Sequence, residues 1–498
     1  MNKIFLSSII SLAALSASAQ TSYDAADLMQ SDLNGTARYV GMGGALNALG
    51  ADISTMASNP AGTGLYRSSD VSFTFGGVIT GNEGQLGHDR GRMSVDQGGV
   101  LFSFQTDDDG RGLQFVNFGV NYKKNRNFWG NAFVPVGNLD NTFSQTIQIA
   151  DLSTYAYYND QWGFLADVSA PNPNRENPYG IVGVGEESYL GVPAEKANYK
   201  RTTYGSNVEC DLNLSFNSSD RFYYGLSIGI YDFDYSRESF YEELGIDGEY
   251  YDFSNWYRTK GTGVDFKLGF ICRPIEDSPF RFGIAVHTPT WYRLTYANGS
   301  TLYLNDEFVD GGDSGDRDFN FTSPWKFNFS LGHTIGNYLA LGAEYEYTDF
   351  SASKYKLQAC SDEYWFDDFN AAIKNNLKGQ HTFKLGIEGK PVDCFSIRAG
   401  YNYVSSAFKK DAYNSIAYAE PYTDTDYTNW GAINRVTFGL GYRWHGGYFD
   451  VAYQYQAQKG DFYAFDNYWE ADGAVYTLKP TKISNNRSQI LATIGFKF

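Results

Sequence analysis

From about residue 70 onward the chain alternates between apolar and polar positions. Val436, Phe438, Leu440, Tyr442 and Trp444 alternate with Arg435, Thr437, Gly439, Gly441 and Arg443, and Val208, Cys210, Leu212, Leu214 and Phe216 alternate with Glu209, Asp211, Asn213 and Ser215. A period of two is that of a β-strand with one apolar and one polar face. The same pattern predicts fourteen strands, near 71–80, 98–106, 113–124, 203–217, 221–236, 261–272, 280–297, 324–335, 338–350, 379–390, 395–408, 433–445, 448–463 and 488–498. Between them, long connections (81–97, 125–202, 237–260, 298–318, 351–378, 409–432, 464–487) alternate strictly with short ones (107–112, 218–220, 273–279, 336–337, 391–394, 446–447). The short ones carry turn residues such as Asp109-Gly110, Gly336-Asn337 and Gly446-Gly447.

One end of the sheet is therefore elaborated and the other trimmed. Outer-membrane barrels have this asymmetry, with long extracellular loops and short periplasmic turns; a soluble sandwich has no reason to sustain it. The expected architecture is all-β, a 14-stranded antiparallel transmembrane barrel over residues 71–498. An even strand count places both ends of the wall on the periplasmic side. The last strand, Ile490 to Phe498, presents Ile490, Ala492, Ile494, Phe496 and Phe498 to lipid. A strand ending in an aromatic residue is the expected signal to the barrel-assembly machinery.

Composition agrees. The chain has 40 Tyr, 37 Phe and 53 Gly but 13 Pro, which suits many half-exposed strands. Residues 1–19 read as a signal peptide: Lys3, an apolar run from Ile4 to Leu15, and Ala17-Ser18-Ala19 as the cleavage site. With 39 basic residues against 57 acidic ones the net charge is −18, which argues against nucleic acid or an anionic lipid surface as partner. Cys210 and Cys272 are expected to face lipid, with Cys360 in an outer loop and Cys394 in a periplasmic turn, so no disulfide is expected. Trp129, Trp256, Trp291, Trp325 and Trp444 fall near strand ends and read as an aromatic girdle.

Residues 20–67 do not alternate, and 20–70 is expected to form a separate N-terminal hatch. A short helix from Tyr23 to Leu33 is followed by a run of small residues and then Asn59-Pro60-Ala61-Gly62, where Pro60 forces Asn59 out of the helical region. Tyr39, Val40, Met42, Leu46, Leu49, Ile53 and Met56 are too apolar for a free leader, so the segment is expected to fold back into the barrel as a plug. Gly41-Met42-Gly43-Gly44-Ala45, Asp52-Ile53-Ser54 and Asn59-Pro60-Ala61-Gly62, followed directly by the first strand, resemble the N-terminal hatch of the FadL/OmpP1/TodX family. Phe282 to Pro289 and Glu344 to Ser351 are also similar to that family. The resemblance implies a passive outer-membrane transport protein for hydrophobic small molecules, long-chain fatty acids or similar compounds. It implies gating at Gly41, Gly43, Gly44, Asn59, Pro60, Ala61 and Gly62. It also implies a sideways opening near the third strand, at Leu113, Phe115, Gly119 and Tyr122. The expected partners are an apolar ligand, outer-membrane lipid and lipopolysaccharide, and the barrel is expected to be a monomer.

Other readings remain open at this stage. The hatch pattern is also similar to barrels serving type IX secretion, as a shuttle or surface scaffold. A general porin and a haem-binding receptor are further alternatives. Loop 125–202 is either a ligand-capture surface or a surface insertion. The acidic stretch Asp306 to Asp316 reads as solvated loop charge, with calcium as the alternative. The scattered histidines suggest neither an enzyme nor a metal site, and no cofactor is expected.

Overall fold

The computed structural model describes residues 21–80, 91–106, 112–136, 194–245, 250–276, 278–304, 307–313, 316–357, 366–414, 426–464, 468–469, 475–476 and 479–498. Residues 1–19, expected as a signal peptide, most of loop 125–202, Cys360 and part of the acidic stretch lie outside the described residues.

The strands, in chain order, are β1 (Asp70–Thr80), β2 (Gly91–Gln105), β3 (Leu113–Asn127), β4 (Gly130–Val136), β5 (Ala194–Ser218), β6 (Phe222–Gly245), β7 (Tyr250–Cys272), β8 (Arg281–His287), β9 (Trp291–Leu304), β10 (Glu307–Asp313) and β11 (Arg317–Thr322). Then come β12 (Lys326–Ile335), β13 (Leu339–Asp349), β14 (Lys354–Leu357), β15 (Gly379–Val392), β16 (Phe395–Val404), β17 (Tyr427–Arg443), β18 (Gly447–Tyr463), β19 (Tyr468–Trp469), β20 (Val475–Tyr476), β21 (Thr481–Ser484) and β22 (Arg487–Lys497). Fourteen of them, β1, β2, β3, β5, β6, β7, β8, β12, β13, β15, β16, β17, β18 and β22, pair in that order as an antiparallel ring. β22 closes it against β1, from Asp70↔Lys497 to Thr80↔Arg487. Closure removes the unpaired strand edge, which lipid cannot satisfy.

The alternation sets the two faces. Phe73, Phe75, Val436, Phe438, Leu440, Ile490, Ile494 and Phe496 are exposed on the outside. Ser72, Thr74, Arg435, Thr437, Leu491 and Thr493 are buried in the lumen. This is the reverse of a soluble barrel and fits an apolar solvent outside. Cys210 and Cys272 are on the outward face, and Cys394 is exposed in the turn between β15 and β16. Trp256, Trp291, Trp325 and Trp444 are exposed, whereas Trp129 borders a cavity inside rather than the girdle.

Four stretches differ from the expected pattern. The expected loop 237–260 is mostly strand: β6 and β7 continue as one hairpin to Leu244↔Tyr250. The expected strand 280–297 breaks at Thr288-Pro289-Thr290, and the expected strand 324–335 is preceded by β11 and broken at Ser323-Pro324-Trp325. Proline fixes φ and has no N–H for the ladder, so a strand does not run through it. Residues 351–378 hold β14 and a helix, Asp367–Asn376.

Candidate functional site

Residues 21–66 occupy the lumen. They open with helix α1 (Ser22–Met29), capped by Thr21, whose hydroxyl accepts from the Tyr23 and Asp24 N–H groups while Asp24 accepts from the Thr21 N–H at 2.8 Å. The helix stops at Met29 rather than at Leu33. Beyond it the chain turns to bond the wall: the Asp32 N–H donates to the Asn125 carbonyl at 2.8 Å, and Asp32 Oδ2 accepts from the Asn127 N–H at 3.0 Å. Helix α2 (Ala37–Gly41) follows, capped by Thr36. Two 3-10 turns follow, Ile53–Ala57 capped by Asp52 and Pro60–Leu65 capped by Asn59. Asn59 is extended, with φ −139° and ψ 98°, as Pro60 after it requires.

The plug docks through its backbone. Gly43 and Gly44 have φ +64° and +80°, which turn the chain tightly between α2 and the following segment. The wall meets it with glycines. A Cβ at Gly342 would overlap Ala45, one at Gly386 would overlap Met42, and one at Gly400 would overlap Met42 and Gly43. These wall glycines are register partners across β13, β15 and β16: Gly342↔Gly386 and Gly386↔Gly400. A second group, Gly225↔Gly269 on β6 and β7, receives Pro60 and Ala61 in the same way. Glycine weakens a strand interior, and a close backbone approach is a reason to keep it there.

Charged grips flank this belt. Arg38 of the plug lies 3.1 Å from Glu388 of β15, which Arg398 holds at 2.6 Å. Glu344 of β13 accepts from the Asn47 N–H at 2.8 Å and from its side-chain amide at 3.0 Å. His287 Nε2 is 2.9 Å from the Ser58 carbonyl; a carbonyl only accepts, so Nε2 carries the proton. Arg126 of β3 donates to the Asp27 carbonyl at 2.7 Å and to its carboxylate at 2.9 Å. In the wall itself, Lys267 sits among Glu209, Asp211 and Asp265 at 2.7, 2.7 and 3.0 Å. Among the described residues no group of acidic, His and Cys side chains is arranged to hold a metal ion.

Two of the cavities beside the plug are larger than the rest. One of about 130 Å³ is walled mainly by polar groups, including Asp32, Glu209, His287, Lys384 and Arg435. The other, about 190 Å³, brings Arg126, Arg201, Arg435 and Arg487 together with Trp129 and Trp430. An aromatic cluster surrounds α1: Ala25, Ala26 and Leu28 pack with buried rings that include Phe233, Tyr292, Phe321, Phe350, Tyr355 and Phe408.

The sequence-derived residues fall into two sets. Gly41, Gly43, Gly44, Asn59, Pro60, Ala61 and Gly62 are all at the plug–wall contact or in turns that shape it; Gly62, for instance, leaves no room for a Cβ beside Thr55. Leu113, Phe115, Gly119 and Tyr122 do not converge. Leu113 is exposed, Phe115 is half-buried and in register with the lumen-facing Asn217, and Gly119 packs against the plug, with Met56 filling the place of a side chain. β3 is laddered to β2 from Gln97↔Lys123 to Gln105↔Phe115. His287 and Glu344 lie within the two family-like stretches 282–289 and 344–351, but their contact with the plug, like that of Glu388 and the glycine belt, is not identified by the sequence. Each is an ordinary lumen-facing position until the register aligns it with the plug.

No protein-family model matches the sequence, and a search of curated proteins finds no match. Among solved structures the chain is similar to a FadL homologue of Pseudomonas aeruginosa, at 14% identity and TM-score 0.52, over 94% of this chain and 99% of that one. It is similar to the P. putida toluene transporter TodX at 12% identity and TM-score 0.52, over 94% and 99%. It is also similar to the CymD monoaromatic hydrocarbon channel at 9% identity and TM-score 0.50, over 94% and 99%. At these identities the likeness speaks for the fold alone, and the chain has the barrel fold of these channels.

Proposed function

We propose that this protein is an outer-membrane channel for passive uptake of hydrophobic small molecules, with residues 21–66 as its gate. The observation that carries this reading is the plug itself: a closed barrel whose lumen is filled by its own N-terminal segment, docked by backbone contact and a few charged grips. Such a segment can shift as a unit without unfolding the wall. The neighbouring folds support the reading, since solved structures of this shape include a toluene transporter and a monoaromatic hydrocarbon channel. The aromatic cluster around α1 supplies the apolar compartment. An apolar ligand of similar volume would replace Ala25, Ala26 and Leu28 against the same rings.

The end of the wall with short turns, where Ser69 and Phe498 exchange backbone hydrogen bonds at 3.0 and 3.1 Å, is assigned to the periplasm. Ligand enters from the elaborated end and leaves sideways into the membrane. Long-chain fatty acids or similar amphiphiles suit the lumen best, because polar cavities lie beside the apolar cluster and can take a head group. The test is deletion of the gene, followed by measurement of oleate uptake and of surface-protein release. Lost uptake with normal release is expected. Normal uptake with defective release would replace this reading with a secretion shuttle. An open porin would conduct in planar bilayers, whereas this barrel is expected to conduct only after residues 21–66 are removed.

A further inference from the structure

β7, β9, β11 and β14 lie side by side toward the elaborated end of the wall. Two adjacent outward rows cross them in register. One runs Val264↔Trp291, Trp291↔Thr322 and Thr322↔Lys354; the next runs Thr262↔Arg293, Arg293↔Asn320 and Asn320↔Lys356. The inner face of these strands is fixed by the aromatic cluster, since Tyr292, Leu294, Phe319, Phe321 and Tyr355 are buried there. Alternation then turns Arg293, Lys354 and Lys356 outward, and all three are exposed.

Their height on the wall is marked by two indoles. Trp291 and Trp325 are 45% and 50% exposed, and such rings favour the membrane interface. Beyond Trp325, toward the short turns, Phe327, Phe329 and Leu331 face outward as a lipid-facing strip. Lys354 stands in the row of Trp291. Arg293 and Lys356 stand one pleat further toward the elaborated end, about 7 Å away. Three cations therefore sit where the apolar band gives way to head groups.

The chain as a whole carries −18, which works against an anionic lipid surface, so this triad is a local exception. Further along the same face the charges are matched: Asp234 of β6 is 3.0 Å from Lys260 and 3.8 Å from Arg258. Among the described residues Lys354 and Lys356 have no carboxylate partner. From Lys356 the row reaches its first carboxylate only at Asp232, on β6. Lys354 and Lys356 are like charges on one face of a short strand and repel each other, and a phosphate between them reverses the sign. Thr262 and Asn320 stand in the same row, offering a hydroxyl and an amide to a sugar.

We propose that Arg293, Lys354 and Lys356 seat the phosphorylated sugar head of an outer-leaflet glycolipid, the lipid A part of lipopolysaccharide, with its acyl chains along the apolar wall below Trp291 and Trp325. The charge complementarity is local and the apolar wall is continuous with it, which is what a lipid with several chains and an anionic head requires. The proposal rests on the outer-membrane placement with the short turns in the periplasm, and not on which compound crosses the channel.

The test uses the full chain in mild detergent, with barrel assembly checked by heat-modifiable gel mobility. Native mass spectrometry follows binding of bis-phosphorylated lipid A, of the same lipid A dephosphorylated, and of dioleoyl phosphatidylglycerol. One variant combines Arg293→Gln, Lys354→Gln and Lys356→Gln; a control combines Arg258→Gln and Lys260→Gln, cations of the same face that Asp234 already matches. The triple variant is expected to hold lipid A more than about tenfold less than the parent, and the control within about twofold of it. Equal retention by the triple variant overturns the seat. So does parent binding of dephosphorylated lipid A or of phosphatidylglycerol as strong as that of lipid A, a comparison that needs no variant to assemble. Because the readout is lipid retention, such a failure leaves the uptake reading in place.

Discussion

Asp32 faces the guanidinium groups of Arg126, Arg435 and Arg487, with Arg487 at 3.7 Å. Burial works to raise its pKa, but the charges of Arg487, Arg435 and Arg126 outweigh burial and hold the carboxyl below its usual value. A depressed carboxyl stabilises the docked state above its unfolded pKa and loses that contribution as the pH falls through the lower folded value. The plug is therefore expected to stay seated at about pH 4, where an ordinary Asp is half protonated, and to loosen only in more acid solution. Asp32→Asn removes the charge at every pH and leaves the arginines without it, a loss of about 1–3 kcal/mol. Planar-bilayer recordings at neutral pH should then show openings that the parent lacks. Equal closure of both proteins would show that this contact does not hold the plug.

At the scale of elements, the glycine belt and the plug explain each other. Gly386 and Gly400 are paired across β15 and β16, and both face Met42 at the start of the small-residue run. Replacing a strand glycine with alanine ordinarily stabilises the strand by about 0.5–1 kcal/mol, through the unfolded chain and better side-chain cover. Here the added methyl groups meet backbone that has nowhere to go. Gly386→Ala with Gly400→Ala is expected to leave the barrel folded by its gel mobility and heat resistance, while exposing residues 21–66 to added protease. A plug as protected as in the parent would show that the glycines serve the strands alone. The element scale also shows where patterning misleads. Alternation continues through Phe282 to Tyr296 and predicts one strand, but Pro289 divides it. The loop expected at 237–260 is mostly strand because β6 and β7 go on pairing with each other as far as Leu244↔Tyr250.

At the scale of the whole molecule, orientation can be checked with a native residue. Cys394 is exposed in a short turn at the end of the wall that also holds Ser69 and Phe498. In a Cys360→Ser background a membrane-impermeant maleimide should leave Cys394 unlabelled on intact cells and label it once the outer membrane is permeabilised. Labelling of intact cells would invert the barrel and reject a periplasmic gate.

The sequence by itself determined the barrel. Strand period, the alternation of long and short connections and the aromatic outward face are local or near-local signals, and a membrane demands them of each strand separately. Val436, Phe438, Leu440, Tyr442 and Trp444 face outward as their spacing requires, and so do Ile490, Ile494, Phe496 and Phe498. The plug segment was legible too, because Asn59-Pro60 and the Gly41–Ala45 run constrain their own backbone. Only the tertiary structure decided what the plug touches. Arg38 meets Glu388 across 350 residues of chain and Asn47 meets Glu344 across 297, pairings set by ring closure and register rather than by spacing. It also decided that the β12–β13 ladder stops at Lys326↔Thr348 and that pairing resumes only at Thr322↔Lys354. That gap exists because breaks far apart in sequence come to lie at one height, a coincidence that no single strand records.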